Sequence, residues 1–508
     1  MTAINSLFVF ISKKGYIVPL LAFLLPLLVR LIPEVLVGSY VIGFDTMGFY
    51  VQNTLAWLHG GVDFWSYLAV APLFYVLLMS LVSAGVPIVM VLKVLSPLLL
   101  GLLGLSIYYY AHKGLGWSSF KSLAPALLGT IYFVALRISW DMLRNELGLI
   151  FLFVALTFLS QLKTGSWKQY FVLSLAMIAV VLSHQLVAVI MLGVVIFTVF
   201  HGLLQKSFQK SLALIVASLP ASVFSLVVYF FAVVPDGFQN YATSTELILA
   251  NWLGFSSYPS MLLSELGFFL FCFLPLLPLV VFGFKCLGDF QLRSWIILSL
   301  FLLLIPFAFV SPYRWLLLLI YPFVFFVVEA VSHLKSIKWK RFNTSLQKIV
   351  IFYLILSTVV LSFGYIFSTP DQPFSYFSPQ HFNSYYYQIP SAMQQNTISV
   401  ADFQGTVDAL RWFEENKPVG GLLLTHTAFY SWALLVLNDT DVIWNYEFGD
   451  PVNAASLAVQ EGHTRVFLVW WIDGLGWYTQ PSLPLVFQEV YRSERIAIYF
   501  YDIAADGT

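Results

Sequence analysis

The sequence predicts an α-helical, multi-pass membrane protein that carries an α/β domain at its C-terminal end. Three observations predict it. The 508 residues are 60% hydrophobic and only 10% charged, where a soluble chain carries roughly 25% charged residues. The apolar residues come in runs of the length that crosses a bilayer, about 20 residues, and the mean hydropathy is +0.85. Those runs stop near residue 368, beyond which polar residues and short alternating segments take over. A soluble globule, a disordered chain and a disulfide-stapled secreted scaffold are excluded. The 25 basic and 25 acidic residues balance, so there is no basic field for nucleic acid.

Eleven runs read as spans: 16–35, 93–111, 120–137, 146–162, 169–184, 186–204, 212–234, 262–284, 293–311, 314–333 and 347–368. Lys13 and Lys14 precede the first run with no small-residue cleavage site, so it reads as a span and not as a signal peptide. Segment 66–90 is also apolar but is interrupted by Pro72 and Pro87. Counted as crossing, it sends His112, Lys113, Lys121, Lys163, Lys168, Lys206, Lys210 and the basic cluster at 335–341 outside. Left as an interfacial or re-entrant helix, it keeps all of them inside with Lys13 and Lys14, as the positive-inside rule prefers. The expected topology is therefore a cytoplasmic N-terminus, eleven spans and an extracytoplasmic C-terminal domain in the cell membrane. Cys272 and Cys286 both lie in or next to one apolar run, so no disulfide is implied.

Residues 1–368 are thus expected to form the membrane domain, and 369–508 an extracytoplasmic domain of ordinary size. The stretch TPDQPFSYFSPQHFNSYYYQIPSAMQQN reads as an extended linker rich in Pro, Ser and Gln. After it, VDALRWFEENK reads as helix, GGLLLTH as strand, AFYSWALLVL as helix, DVIWNYE as strand, NAASLAVQEGH as helix, and RVFLVWW and IAIYFYDI as strands. Alternation of this kind predicts an α/β domain.

In so apolar a chain the informative residues are ionisable groups at membrane depth or just outside it, because they are expensive there. Under the expected topology they gather on one side. Asp45 (VIGFDTMGFY) lies in the first outer loop. Arg137, Asp141, Arg144 and Glu146 (LRISWDMLRNELG) lie at the second outer loop and the mouth of the fourth span. His184 closes the fifth span, Glu246 (NYATSTELILANW) lies in the long loop 235–261, and Arg314 (VSPYRW) opens the tenth span. A single loop charge is usually solvated, and an Arg at a helix mouth usually snorkels. The convergence from five loops is what carries weight. Glu329 and His333, at the other end of the tenth span, read as structural.

Asp45, Asp141, Glu146 and Glu246 are hard oxygen ligands suited to Mg²⁺ or Mn²⁺, which bind carboxylates together with substrate phosphates. Arg137, His184 and Arg314 suit the phosphate or pyrophosphate of a leaving group. A substrate with a polyprenyl tail in the bilayer and a charged head at its face matches that arrangement.

With these residues in view, the chain resembles the GT-C superfamily of membrane glycosyltransferases, and is most similar to the oligosaccharyltransferase catalytic subunit family. The first loop FDTMGFYVQN carries Asp45 followed by aromatics. Segment 66–90 matches the half-embedded helices of that family's first loop. WDMLRNELG stands where the family has its second-loop acidic motif, TSTE at Thr243–Glu246 where it has a Ser/Thr-rich motif ending in Glu, and Arg314 opens YRWLLLLIYPFVFF. Two departures stand out. Asp141 and Glu146 are five apart instead of forming D-x-D, and the family's W-W-D-Y-G motif is replaced by THTAFYSW at 425–432. The resemblance implies a glycosyltransferase that takes a sugar or oligosaccharide from a polyprenyl-phosphate-linked donor. Asp45 would be its catalytic carboxylate, and its acceptor a glycan, lipid or protein. Two alternatives stay open: a protein oligosaccharyltransferase with a divergent sequon pocket, and a lipid or polysaccharide transporter. Transporters place their ionisable residues near the midplane, not at one face. A non-catalytic scaffold would need no acids in three separate loops.

Overall fold

Helices occupy the expected spans in order in the computed structural model, which describes residues 16–163, 165–227, 257–304, 312–334, 338–339, 344–447, 449–472, 483 and 485–501. They are α1 (Ile17–Leu36), α5 (Ile88–Tyr109), α6 (Ser119–Ile131) with α7 (Phe133–Asp141), α8 (Leu143–Ser160), α9 (Trp167–Ser183), α10 (Gln185–Leu204) and α11 (Phe208–Leu226). After these come α12 (Tyr258–Phe273) with α13 (Leu277–Cys286), α14 (Phe290–Leu303), α15 (Pro312–Leu318) with α16 (Ile320–His333), and α17 (Leu346–Phe367). Among the described residues seven helices are long and apolar enough to cross a membrane, or nine if each of two bent pairs is one span. The chain is a multi-pass membrane protein by that measure. Between α1 and α5 lie only short helices: α2 (Gln52–Gly60), α3 (Phe64–Ala69) and α4 (Leu73–Ser83). Eleven residues of helix rise about 16 Å, half of a hydrocarbon core about 30 Å thick. No single helix in segment 66–83 can cross.

Small residues let the spans approach. A side chain on Gly104 of α5 would run into the backbone of Ala22 on α1, so only glycine allows this crossing, as at many helix contacts in membranes. Two spans are broken. The pair α6 and α7 bends by 58° and the pair α12 and α13 by 86°. The second break contains Pro275 and precedes Pro278, and proline removes the ladder hydrogen bond that would keep a helix straight. The first turns on Tyr132, whose ψ of 139° is extended and whose hydroxyl donates to the Cys272 carbonyl at 2.8 Å.

The bundle has two unlike ends. At one, Gln161 donates to the Lys113 carbonyl, Lys121 pairs with Glu329 at 2.5 Å, His201 stacks on Phe290, and Tyr110 donates to Asp289. The connections carrying His112, Lys113, Lys121, Lys163, Lys168, Lys206 and Lys210 lie there. At the other end the first loop, α7 and the residues after α17 meet the C-terminal domain.

That domain is α/β. Strands β1 (Gly421–Thr425), β2 (Ile443–Asn445), β3 (Arg465–Trp471), β4 (Phe487–Ser493) and β5 (Ile496–Tyr501) form one sheet in the order β2-β1-β3-β5-β4. Strands β1, β2 and β3 run parallel and β5 and β4 are antiparallel additions. Helices α18 (Phe403–Asn416), α19 (Thr427–Val436) and α20 (Pro451–Gln460) connect or flank them. Strand β3 is buried from Val466 onward, as an inner parallel strand should be.

The stretch after residue 369 corrects the expectation of an extended linker. It is a packed strap with little regular secondary structure, and the side chains of Asn383, Gln394 and Asn396 are buried there paired with backbone. Asn383 donates to the carbonyls of Phe377 and Ile389 and accepts from the Tyr385 N–H. Asn396 donates to Val41 in the first loop, and Thr397 donates to Ala428 in α19.

Two outcomes follow. Asn383→Ala leaves buried backbone groups unpaired and should destabilise the fold by about 2 kcal/mol, read as a lowered thermal midpoint in detergent. Single cysteines at Lys113, Lys163 and Lys206, all exposed, should be labelled by a membrane-impermeant maleimide from one face only, and a cysteine at the exposed Val419 from the other.

Candidate functional site

The first loop, α7, the mouth of α15 and the strap enclose a cavity of about 360 Å³. Its wall holds Phe44, Asp45, Phe49, Arg137, Trp140, Asp141, Met142, Arg314, Tyr387 and Gln388. Asp45 comes first because its backbone is the most constrained. Gly43 has φ +102°, a conformation that L side chains rarely adopt, and a Cβ there would collide with the Trp140 carbonyl and the Thr46 hydroxyl. The Gly43 N–H donates to the Gln395 carbonyl at 2.9 Å. The chain then enters a π-helical turn, Thr46–Val51, with Asp45 at its start.

Arg137 and Asp141 lie one turn apart on α7, so their side chains share a face. Arg137 Nη1 donates to Asp141 Oδ1 at 2.5 Å, and its Nε donates to the Gln388 carbonyl at 2.5 Å. The guanidinium lies over the Trp140 ring, and the Trp140 indole N–H is held by the carbonyls of Met393 and Gln395 at 3.0 Å each. Arg314 Nη2 stands 3.8 Å from Asp45 Oδ2. Behind the wall Arg144 donates to Gln185 at 3.1 Å and lies over the Tyr75 ring. Two guanidiniums thus face two carboxylates in the cavity wall, and a third, that of Arg144, stands behind it and still acts on Asp45.

Burial pushes the Asp45 carboxyl up to about 7, and the neighbouring Asp141 charge adds to the rise; Arg314, Arg137 and Arg144 work against it. An acid so placed exchanges its proton near neutrality, which is what a general base needs.

Of the residues singled out in the sequence, Asp45, Arg137, Asp141 and Arg314 share this cavity. His184 does not line it: it caps α10, its Nδ1 accepting from the Leu186 N–H at 3.1 Å, close enough to Arg144 and Arg314 for their charges to act on it. Glu146 is turned away. It is wholly buried, and the groups that act on it are Arg30 of α1 and Ser139 of α7. Glu246 lies outside the described residues. Among the described residues no group of three or more His, Cys, Asp or Glu gathers for a metal ion. Asp45 and Asp141 are the two acids of the cavity and each is already met by a guanidinium, Arg314 and Arg137, so a divalent ion would need a phosphate to complete its shell there. Sequence reasoning missed Trp140, Tyr387 and Gln388. The last two fall in the aromatic run YYYQ, inside the stretch read as a linker.

The chain is similar to ArnT from Cupriavidus metallidurans, whose crystal structure is bound to undecaprenyl phosphate, with TM-score 0.48 and 11% identity over 97% of this chain and 99% of that one. No protein-family model matches, nor does any curated protein.

The raised Asp45 has a consequence for stability. Its folded pKa lies above the unfolded value of about 3.9, so the stability it contributes is full below pH 4 and is lost as pH rises through about 7. Asp45→Asn escapes that loss. Its thermal midpoint should gain on the parent between pH 5 and pH 8, by the equivalent of about 2 kcal/mol. Parallel melting curves of the two proteins would show the opposite of this account.

Proposed function

We propose that the protein is a glycosyltransferase that moves a sugar from a polyprenyl-phosphate-linked donor to an acceptor at the extracytoplasmic face. The observation that carries the reading is the pairing, in one cavity at the edge of the membrane domain, of a proton-holding carboxylate, Asp45, with the guanidiniums of Arg314 and Arg137. The sequence resemblance to GT-C enzymes supports it.

The donor's phosphate would lie against Arg314 and the free edge of Arg137, with Arg144 behind them. The acceptor hydroxyl would sit at Asp45. In one displacement its oxygen forms the new bond to the anomeric carbon while the bond from that carbon to the phosphate oxygen breaks. The electron pair leaves with the polyprenyl phosphate, the hydroxyl proton passes to Asp45, and the anomeric configuration inverts. The guanidiniums offset the charge that grows on the leaving phosphate, and such preplaced charge is commonly the largest single catalytic contribution. Arg137 is held by Asp141 and the Gln388 carbonyl, so it needs no reorganisation as that charge grows. A Mg²⁺ or Mn²⁺ arriving with the phosphate would have Asp141 as its carboxylate ligand, Asp45 being kept for the proton, and would supply further charge neutralisation there.

The test is turnover of purified protein in lipid nanodiscs with polyprenyl-phosphate-linked sugars. Asp45→Asn should lower turnover by ~10²-fold or more, the scale of losing one acid–base group. Glu329→Gln, paired with Lys121 at the far end of the bundle, should leave it nearly intact. Turnover of the parent should rise with pH through about 7, as Asp45 ionises. A chelator arm tells whether a divalent ion takes part. Full transfer by Asp45→Asn would sink the reading.

A further inference from the structure

Beneath the cavity a second set of charges is buried between α1, α5, α7 and α8, where Glu146 of α8 stands close enough to Arg30 and Ser139 for both to act on it. Arg30 and Glu34, both wholly buried, pair one turn apart on α1 at 2.8 Å. Arg30 Nε also donates to the carbonyl and hydroxyl of Ser139 at 3.1 and 3.0 Å, two residues before Asp141 on α7. Glu34 is met by Lys93 of α5 at 3.6 Å. Lys93 Nζ donates in turn to the carbonyl of Glu34 at 2.5 Å and to that of Tyr40 at 2.6 Å. Tyr40 is five residues before Asp45.

None of these groups lines the cavity. Burying such charges costs more than apolar packing of the same volume, and they are best retained where they fix a geometry. This set ends on two backbones. One branch holds the half-helix that presents Arg137 and Asp141, the other the loop that presents Asp45. Both need holding. The half-helix is nine residues long and bent 58° from the rest of its span, so its own span does not fix its direction. The loop leaves α1 through residues 37–43, which include the left-handed Gly38 and Gly43.

We infer that Arg30 is a positioning residue: through Ser139 on one side, and through Glu34, Lys93 and Tyr40 on the other, it fixes Asp141 and Asp45 relative to each other across the cavity. The effect on turnover rests on the transfer reading given above. The effect on geometry does not.

The experiment uses the full chain in nanodiscs, with Cys272 and Cys286 replaced by serine. Spin labels go on cysteines at Leu58 and Phe382, both exposed. Leu58 follows the Asp45 turn on α2, and Phe382 lies on the strap that holds Arg137 through Gln388. Their distance distribution is measured by double electron–electron resonance, and turnover is measured with a polyprenyl-phosphate-linked sugar. Arg30→Gln and Lys93→Met should each broaden or shift the distribution and lower kcat about tenfold or more with KM changed little, because misplacing reacting groups by about 1 Å costs on that scale. Glu329→Gln should do neither. Where Arg30→Gln does not fold, Ser139→Ala removes one acceptor of the fork and should show the same kcat-over-KM pattern more mildly. An unchanged distribution, or an unchanged kcat, in a folded Arg30→Gln protein overturns the inference. If the parent transfers no sugar from any such donor, the proposed reaction fails and the distances alone decide the positioning role.

Discussion

The cavity depends on one hydrogen-bonded junction, where the first loop, the half-helix α7 and the strap share a few backbone groups. The Gly43 N–H and the Trp140 indole N–H converge on the Gln395 carbonyl, and Trp140 also donates to Met393. These donors have no water to fall back on. A buried hydrogen bond is worth only about 1 kcal/mol net, but leaving its partner unpaired costs more, so the three segments are bound to one another more firmly than that net value suggests. The backbone of Trp140 approaches Gly43 so closely that no side chain fits there. Asp45 and Asp141 are each attached within two residues of that junction, which is why two acids remote in sequence face one cavity.

The same closeness makes the site electrostatically tense. Two carboxylates share a small, partly buried space, and neither is fully solvated. Asp141 resolves its share by pairing directly with Arg137 at 2.5 Å. Asp45 has only the longer contact to Arg314 and so holds its proton to near neutrality. One acid is the ion-pair partner of Arg137, and the other is left with the longer contact. That division of roles follows from their unequal partners, since both are ordinary aspartates in ordinary helix-mouth positions.

Much of this was legible in the sequence. Each described span coincides with a hydrophobic run, which hydropathy finds, and the prolines of segment 66–90 announced the short helices that lie there. The helices and inner strands of the C-terminal domain could be read from apolar periodicity. The edge strand β4 could not, because FQEVYRS is largely exposed and looks like loop. The strap was misread for a related reason: its Asn, Gln and Ser residues have loop composition, and what folds them is side-chain pairing to backbone, within the strap at Asn383 and as far away as Val41 at Asn396. Glu146 was grouped with Asp141 because five residues separate them in sequence. The helix break at Met142, with ψ 52°, turns the two in different directions, toward Arg30 and toward Asp45. No proline or glycine sits at that break to announce it, nor at Tyr132 where α7 begins.

Under the proposed reaction the loose pairing of Arg314 gains a purpose. Its side chain is 35% exposed and 3.8 Å from Asp45, whereas Arg137 is locked at both Nε and Nη1. Arg314 is therefore the cation of the pair most easily drawn to an arriving phosphate. When it turns to that phosphate, Asp45 loses part of its stabilising charge and gains a second anion nearby. Both changes favour the protonated carboxyl. Asp45 thus becomes a stronger base once the donor is bound, at the stage when the acceptor hydroxyl must give up its proton. As the bond to the phosphate breaks, the leaving group gains a further negative charge, and Arg314 and Arg137 are already in place to meet it. Guanidiniums that outnumber the ionised carboxylates while Asp45 holds its proton are the condition under which one aspartate can serve as a base beside an anionic substrate.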